Sequence, residues 1–246
     1  MTAQVAKIVT SGTFSLDGQD FAVDNNVWLI GDDREVLVID AAHDPDAADG
    51  NNEVFSNPWN FAQDGDDFLV TDAGANDLIR VHPNGTTTTD VVFPNNTLPP
   101  AAGTAAPATP AGQAQAVPTG IVRGRDGVFY ITDMSGIQAG LSRIWRYVPG
   151  HQPTVLATGL MGAISIGVAP DGDLVVLSYT TGGTQTGLLP GALTRIDPRT
   201  GAATTIDTGG ALTEPTGLAI SPRGDVYVSN HSTTDSGELL EFPSAV

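Results

Sequence analysis

An acid and an imidazole stand three positions apart at Asp40 and His43, closing the run VLVIDAAH. A carboxylate and a neutral imidazole at such spacing are the ligand types of a hydrolytic metal centre. A binuclear zinc site needs several of them converging at bond distance. The four histidines, His43, His82, His151 and His231, share no motif. Asp40 and His43 are therefore read as a strand end and a surface turn. A second set comprises Asp72, Asp133 and Asn230, each closing an apolar run: FLVTD, VFYITD and DVYVSN. Their oxygens suit a hard divalent cation such as calcium. The competing reading, and the expected one, is that each caps its strand end by accepting from local backbone N–H groups.

Other chemistry is thinner. The chain has no cysteine, which excludes disulfides, thiolate catalysis and Cys-bound zinc. Ser11 has no His–Asp partner at sequence level. Asp64–Gly65–Asp66–Asp67 and Asp171–Gly172–Asp173 lack the twelve-residue spacing of a calcium loop and read as hairpin turns. Arg80, Arg143 and Arg195 recur on third strands, which suggests pairing with acids between repeats. Trp59, Trp145 and Tyr147 lie on apolar strands and are expected in the core.

Against 10 basic residues stand 28 acidic ones, for a net charge of −18 over 246 residues. Such a surface repels nucleic acid and anionic membranes, which are bound through Lys/Arg clusters. No stretch of 18 apolar residues offers a membrane span. The first residues lack the basic and apolar regions of a signal peptide, so the chain as written reads as cytoplasmic.

The elements that would position these residues repeat. Four segments share a Pro or Gly entry, an apolar strand, a Gly turn and a stronger apolar strand: 57–72, 117–133, 163–178 and 214–230. The turns are Asp64–Gly65, Asp126–Gly127, Asp171–Gly172 and Arg223–Gly224, with glycine supplying the positive φ of a two-residue hairpin. A third strand follows each (77–83, 142–149, 191–198, 237–243), and fourth strands follow three of them, after Gly85, Gly150 and Gly201. Three to four antiparallel strands at a period of about 40–50 residues indicate β-propeller blades. The Pro/Ala-rich segment 94–118 is expected as an exposed loop without a packed strand.

Residues 57–243 resemble the ScyD/ScyE family, relatives of NHL-repeat propellers, through FLVTDAGANDLIRV, QAVPTGIVRGRDGVFYITD and EPTGLAISPRGDVYVSN. The resemblance implies a six-bladed propeller in a secreted protein. Residues 7–44 resemble instead the N-terminal strands of a metallo-β-lactamase-fold hydrolase, carried by TSGTFSLDGQDFAVDNNVWLIGDDREVLVIDAAHD. The run H-x-H-x-D-H that such enzymes place downstream does not follow.

The expected organisation is thus an N-terminal β segment over 1–49 and a partial propeller over 50–246, with the seam in DPDAADGNNE, 44–53. The fold class is all-β and propeller-like: four recognisable blades, shortened from six, with an N-terminal antiparallel meander of five short strands. The expected function is a non-catalytic binding or scaffold propeller without a cofactor. Its partner would be a protein or small molecule at loops 94–118 and 181–191, and open blade edges would allow oligomers. The alternative is a divalent-cation-dependent hydrolase of the gluconolactonase kind, using Asp72, Asp133 and Asn230 with calcium or another divalent ion. For that kind of enzyme the resemblance implies an Asn ligand in a P-N-G-[IL] strand. Thr119 and Thr216 occupy that place here, and only Asn60 keeps an Asn nearby.

Overall fold

A computed structural model describes residues 57–97, 113–135, 139–184 and 187–246, together with the backbone of three strands between residues 4 and 39. The chain forms two units, Met1–Pro58 and Trp59–Val246. No helix among the described residues is long and apolar enough to cross a membrane. Asp40, His43 and the expected seam lie outside the described residues.

In the first unit, β1 (Gln4–Leu16), β2 (Gln19–Gly31) and β3 (Val36–Ile39) form one antiparallel sheet in that order. This corrects the five-strand meander. Gly12 pairs with Val23, and Asn25 with Thr10, so neither the glycine nor the Asn–Asn pair makes a turn. Thirteen unbroken cross-strand pairs hold the backbone extended through both.

The second unit is built of four consecutive antiparallel sheets. Blade I holds β4 (Pro58–Asp64), β5 (Asp67–Asp72), β6 (Asp77–Val81) and β7 (Thr87–Val92). A two-stranded ribbon follows, β8 (Asn96–Thr97) with β9 (Gln113–Ala114), so the 94–118 segment does contain paired strands. Ala114 and Ala116 are buried there. Blade II holds β10 (Pro118–Arg123), β11 (Phe129–Asp133), β12 (Ser142–Tyr147) and β13 (Thr154–Leu160). Blade III holds β14 (Ala163–Val168) and β15 (Leu174–Ser178), then a small ribbon of β16 (Gly183–Thr184) and β17 (Gly187–Leu188). It closes with β18 (Ala192–Ile196) and β19 (Ala203–Ile206). Blade IV holds β20 (Gly217–Ile220), β21 (Val226–Asn230) and β22 (Glu238–Phe242).

The hairpin turns differ from expectation in one detail. In blades II, III and IV the loop has three residues: the Gly124 N–H donates to Val128 O at 2.8 Å and the Gly127 N–H to Gly124 O at 3.0 Å. The same pattern recurs at Ala169–Asp173 and Ser221–Asp225. Glycine is the last loop residue, in the left-handed region (Gly127 φ 78°), the arrangement of a type I turn followed by a bulge. In blade I the loop is only Gly65–Asp66. Glycine therefore precedes one more loop residue, which is why Asp72 lies seven places after Gly65 whereas Asp133 lies six after Gly127.

The core lies between blades. Leu69, Leu78, Phe93, Phe129, Ile131 and Trp145 fill the I–II interface, and Tyr130, Ile144, Ile166 and Val176 the II–III interface. Val175, Leu177, Leu193 and Val228 fill III–IV. The second strands of blades II and III are buried on both faces, so neighbouring blades must stack to keep those faces from water. Trp145 and Tyr147 are buried as expected, but Trp59 is 39% exposed on β4. Close approach of the inner strands requires Gly120, where a Cβ would stand 2.9 Å from the Ile166 backbone nitrogen. Threonines stitch the same seam: Thr71 Oγ1 donates to Thr119 O at 2.5 Å, and Thr119 Oγ1 to Ala163 O at 3.0 Å, linking β5, β10 and β14.

Candidate functional site

The last residues of β5, β11, β15 and β21 occupy equivalent places on one rim, and each faces the third strand of its blade. The residue directly opposite differs from blade to blade. Asp133 faces Arg143, Ser178 faces Ala192, Asn230 faces Glu238, and Asp72 faces Asp77.

Asp133 is fully buried and accepts six hydrogen bonds. Oδ1 takes the Val117 and Ser135 amides and the Ser135 hydroxyl (2.9–3.0 Å). Oδ2 takes Arg143 Nε and Nη2 and Trp145 Nε1 (2.6–3.2 Å). The Arg143 guanidinium also lies 4.6 Å over the Trp145 ring and donates to Pro94 O. No lone pair remains for a metal, so the cation role foreseen for Asp133 is corrected to a structural one. Asn230 is occupied likewise: Oδ1 accepts from Thr213 N at 2.7 Å, and Nδ2 donates to Ala211 O and Glu238 Oε1. It anchors the entry to blade IV. Neither Thr119 nor Asn60 offers a ligand atom, since Thr119 Oγ1 is engaged between blades and Asn60 Oδ1 accepts from Phe61 N at 2.7 Å.

Asp72 is different. Its Oδ1 accepts from the Gly74 and Ala75 amides at 2.8 and 2.9 Å, which fixes the carboxylate over the turn 73–76. Across the strand pair stands Asp77, only 8% exposed. Asp77 Oδ1 has no hydrogen-bond partner, and neither has the buried Oδ1 of Asn76 beside it. Asn76 holds φ at 60°, a left-handed backbone that non-glycine residues seldom adopt. Burial, followed by the charge of Asp72, pushes the Asp77 carboxyl up to about 7, against a side-chain hydrogen bond with Thr89 that pulls it down. Two opposed acids, two buried oxygens without donors and a left-handed Asn thus lie within six consecutive residues, and such coincidences mark functional sites. Ala73, Gly74 and Ala75 carry no bulk that would cover it. Among the described residues no group of three His, Cys, Asp or Glu is arranged for a metal ion.

The recurring arginines pair within blades rather than between them. Arg80 spans Asp64, Asp67 and Asp90 of blade I at 2.8–3.0 Å. Arg195 holds Asp171 and Asp173 of blade III. An acid is reached across blades by Tyr147 Oη, which donates to Asp90 Oδ2 at 2.9 Å. On the blade IV rim, His231 Nε2 stands 3.4 Å from Glu238.

Comparison with known proteins adds the fold. No protein-family model matches the chain, and no curated protein matches it in sequence. Among solved structures it is similar to virginiamycin B lyase of Staphylococcus aureus, at a TM-score of 0.57 and 15% identity over 98% of this chain and 74% of that one. A gluconolactonase of Xanthomonas campestris aligns at 0.55 and 16% identity, over 89% and 69%. A chain of the nidogen/laminin complex aligns at 0.56 and 15%, over 97% and 74%. The metallo-β-lactamase likeness drawn from residues 7–44 finds no support here. The expectation of a non-catalytic scaffold is corrected by the same findings, since lyase and lactonase enzymes stand among these neighbours. At such identity the likeness carries the architecture alone: the chain has a β-propeller-like fold.

Proposed function

We infer that the chain is a divalent-cation-dependent hydrolase of the gluconolactonase kind, working from the strand-end rim of blade I. The Asp72–Asp77 pair carries this reading: two opposed carboxyls beside two buried oxygens that lack donors. Asp72, Asp77 and Asn76 would hold a calcium, magnesium or manganese ion through oxygens only. Such an ion, when bound, polarises a carbonyl and lowers the pKa of water.

The chain's own groups prepare that corner. The Gly74 and Ala75 amides fix Asp72, β6 sets Asp77 opposite it, and the small turn residues leave an approach for substrate. Enzymes named as a gluconolactonase and a putative 6-phosphogluconolactonase on this fold support a lactone as substrate. Kinship with ScyD/ScyE and NHL-type propellers is the finer family assignment we propose, supported by the repeated strand–turn–strand segments.

Acid release from glucono-1,5-lactone, followed by pH-stat with calcium, magnesium or manganese and then with EDTA, tests the activity. Turnover that needs the cation and is lost in Asp72→Asn and Asp77→Asn is the expected result. Release at the uncatalysed rate with every cation would overturn it.

A further inference from the structure

The first two strands of each blade meet at the end remote from Asp72, and there the turns of blades II, III and IV line an open cleft of about 390 Å³. Its volume lies within the range of small-molecule sites. Arg123 and Arg125 line it from blade II, Val168 and Pro170 from blade III, and Ile220 and Pro222 from blade IV.

Two arginines in one cleft stand out in a chain in which 28 acids face 10 basic residues. Arg80, Arg143, Arg195, Arg199 and Arg223 are each held by aspartate. Among the described residues Arg123, Arg125 and Arg146 have no ion-paired carboxylate; Arg146 lies on β12 opposite Tyr130, whereas Arg123 and Arg125 both line the cleft. The acids of the neighbouring turns bond other groups. Asp126 accepts from Tyr130 Oη at 2.8 Å and from Val128 N at 3.1 Å. Asp171 and Asp173 hold Arg195. Asp225 accepts from Ser221 Oγ and Ser244 N.

Both arginines are nevertheless positioned. The Arg123 guanidinium lies 5.6 Å from the Phe129 ring centroid. Arg125 reaches across to blade III, where its Cδ would be 3.5 Å from a Cβ placed on Gly172. Two guanidinium forks without internal counterions, beside an apolar wall, match an anionic head group on an apolar body. Nucleic acid does not fit, because the surrounding surface is strongly acidic.

We propose that this cleft binds a small organic anion, a carboxylate or phosphate held by Arg123 and Arg125 with its apolar part against Val168 and Ile220. The site is independent of the rim chemistry. Calorimetric titration with phenyl phosphate, benzoate and neutral benzyl alcohol tests it on the full chain. At least one of the two anions binds at least about tenfold more tightly than the alcohol, and the tighter anion identifies the head group. In the double variant Arg123→Gln/Arg125→Gln that affinity falls at least about tenfold, while Arg199→Gln, a control at an exposed arginine elsewhere, binds as the wild type does. Both arginines are exposed, so an unchanged melting temperature verifies that the variant is folded. Failure of both anions to bind at millimolar concentration, equal binding of the alcohol, or undiminished binding by the double variant would each overturn the proposal.

Discussion

Asp72 and Asp77 face each other across β5 and β6 at the place where blade II sets Asp133 against Arg143. One architecture thus carries a satisfied acid–guanidinium pair in one blade and an acid–acid pair in the next. Like charges directly opposed on a sheet destabilise it by up to about 1 kcal/mol. Asp77→Asn removes that repulsion while keeping the shape. In metal-free buffer at pH 8 the variant is expected to melt slightly above the wild type, as read by differential scanning calorimetry.

The pH dependence follows from the same pair. Asp77 titrates near 7 in the folded chain, above the ordinary carboxylate value of 3.8. A raised pKa means that the folded state binds the proton more tightly. Its contribution to stability is full below pH 3.8 and is lost as pH rises through about 7. The slope is at most about 1.4 kcal/mol per pH unit. Asp197 acts oppositely: hydrogen bonds from Arg199 lower it to about 2, so its contribution is present above 3.8 and lost as pH falls through about 2. Urea midpoints measured from pH 4 to 8 with EDTA should decline for the wild type, and the decline should flatten in Asp77→Asn.

Arg143→Gln strands a buried carboxylate. Asp133 keeps its amide donors but loses the guanidinium that neutralises it. Breaking a buried pair in this way costs about 3–5 kcal/mol. Chemical denaturation should show that loss, whereas Arg199→Gln, whose side chain is 85% exposed, should shift stability by less than about 0.5 kcal/mol.

Tyr147→Phe removes the hydroxyl that donates from blade II to Asp90 of blade I. The ring stays in the I–II core, so the loss is that of one hydrogen bond to a charged group, about 1.5–3 kcal/mol. Hydrogen exchange should speed up in β7 and β12 more than in β21.

The blades were legible because their signals are local: a glycine at each turn and an apolar run on either side. The spacing of seven after Gly65 against six after Gly127 has its cause, a two-residue instead of a three-residue loop, only in the hydrogen bonds. The Asp72–Asp77 pair is not evident from strand patterning, although DAGAND carries it, an acid at each end of a four-residue turn. Third strands could not be aligned by counting, since nine residues separate Asp133 from Arg143 but only four separate Asp72 from Asp77. For the same reason strand counting places Arg143 with Arg80 and Arg195. The register makes Arg146 the counterpart of Arg80, as Tyr130 pairs with Arg146 where Leu69 pairs with Arg80. Local preference divides β1 and β2 into four short strands, because Gly12 and Asn25–Asn26 look like breakers. Pairing across the hairpin overrode that local preference.

The most direct test of the rim site is the melting temperature of wild type, Asp77→Asn and Asp133→Asn with and without millimolar calcium, magnesium or manganese. A cation held by Asp72, Asn76 and Asp77 raises the wild-type melting temperature by several degrees at about a hundredfold excess over Kd. The rise persists in Asp133→Asn, however far that variant is destabilised, and disappears in Asp77→Asn. An equal rise in Asp77→Asn, or no rise in the wild type with any of the three ions, would contradict the account.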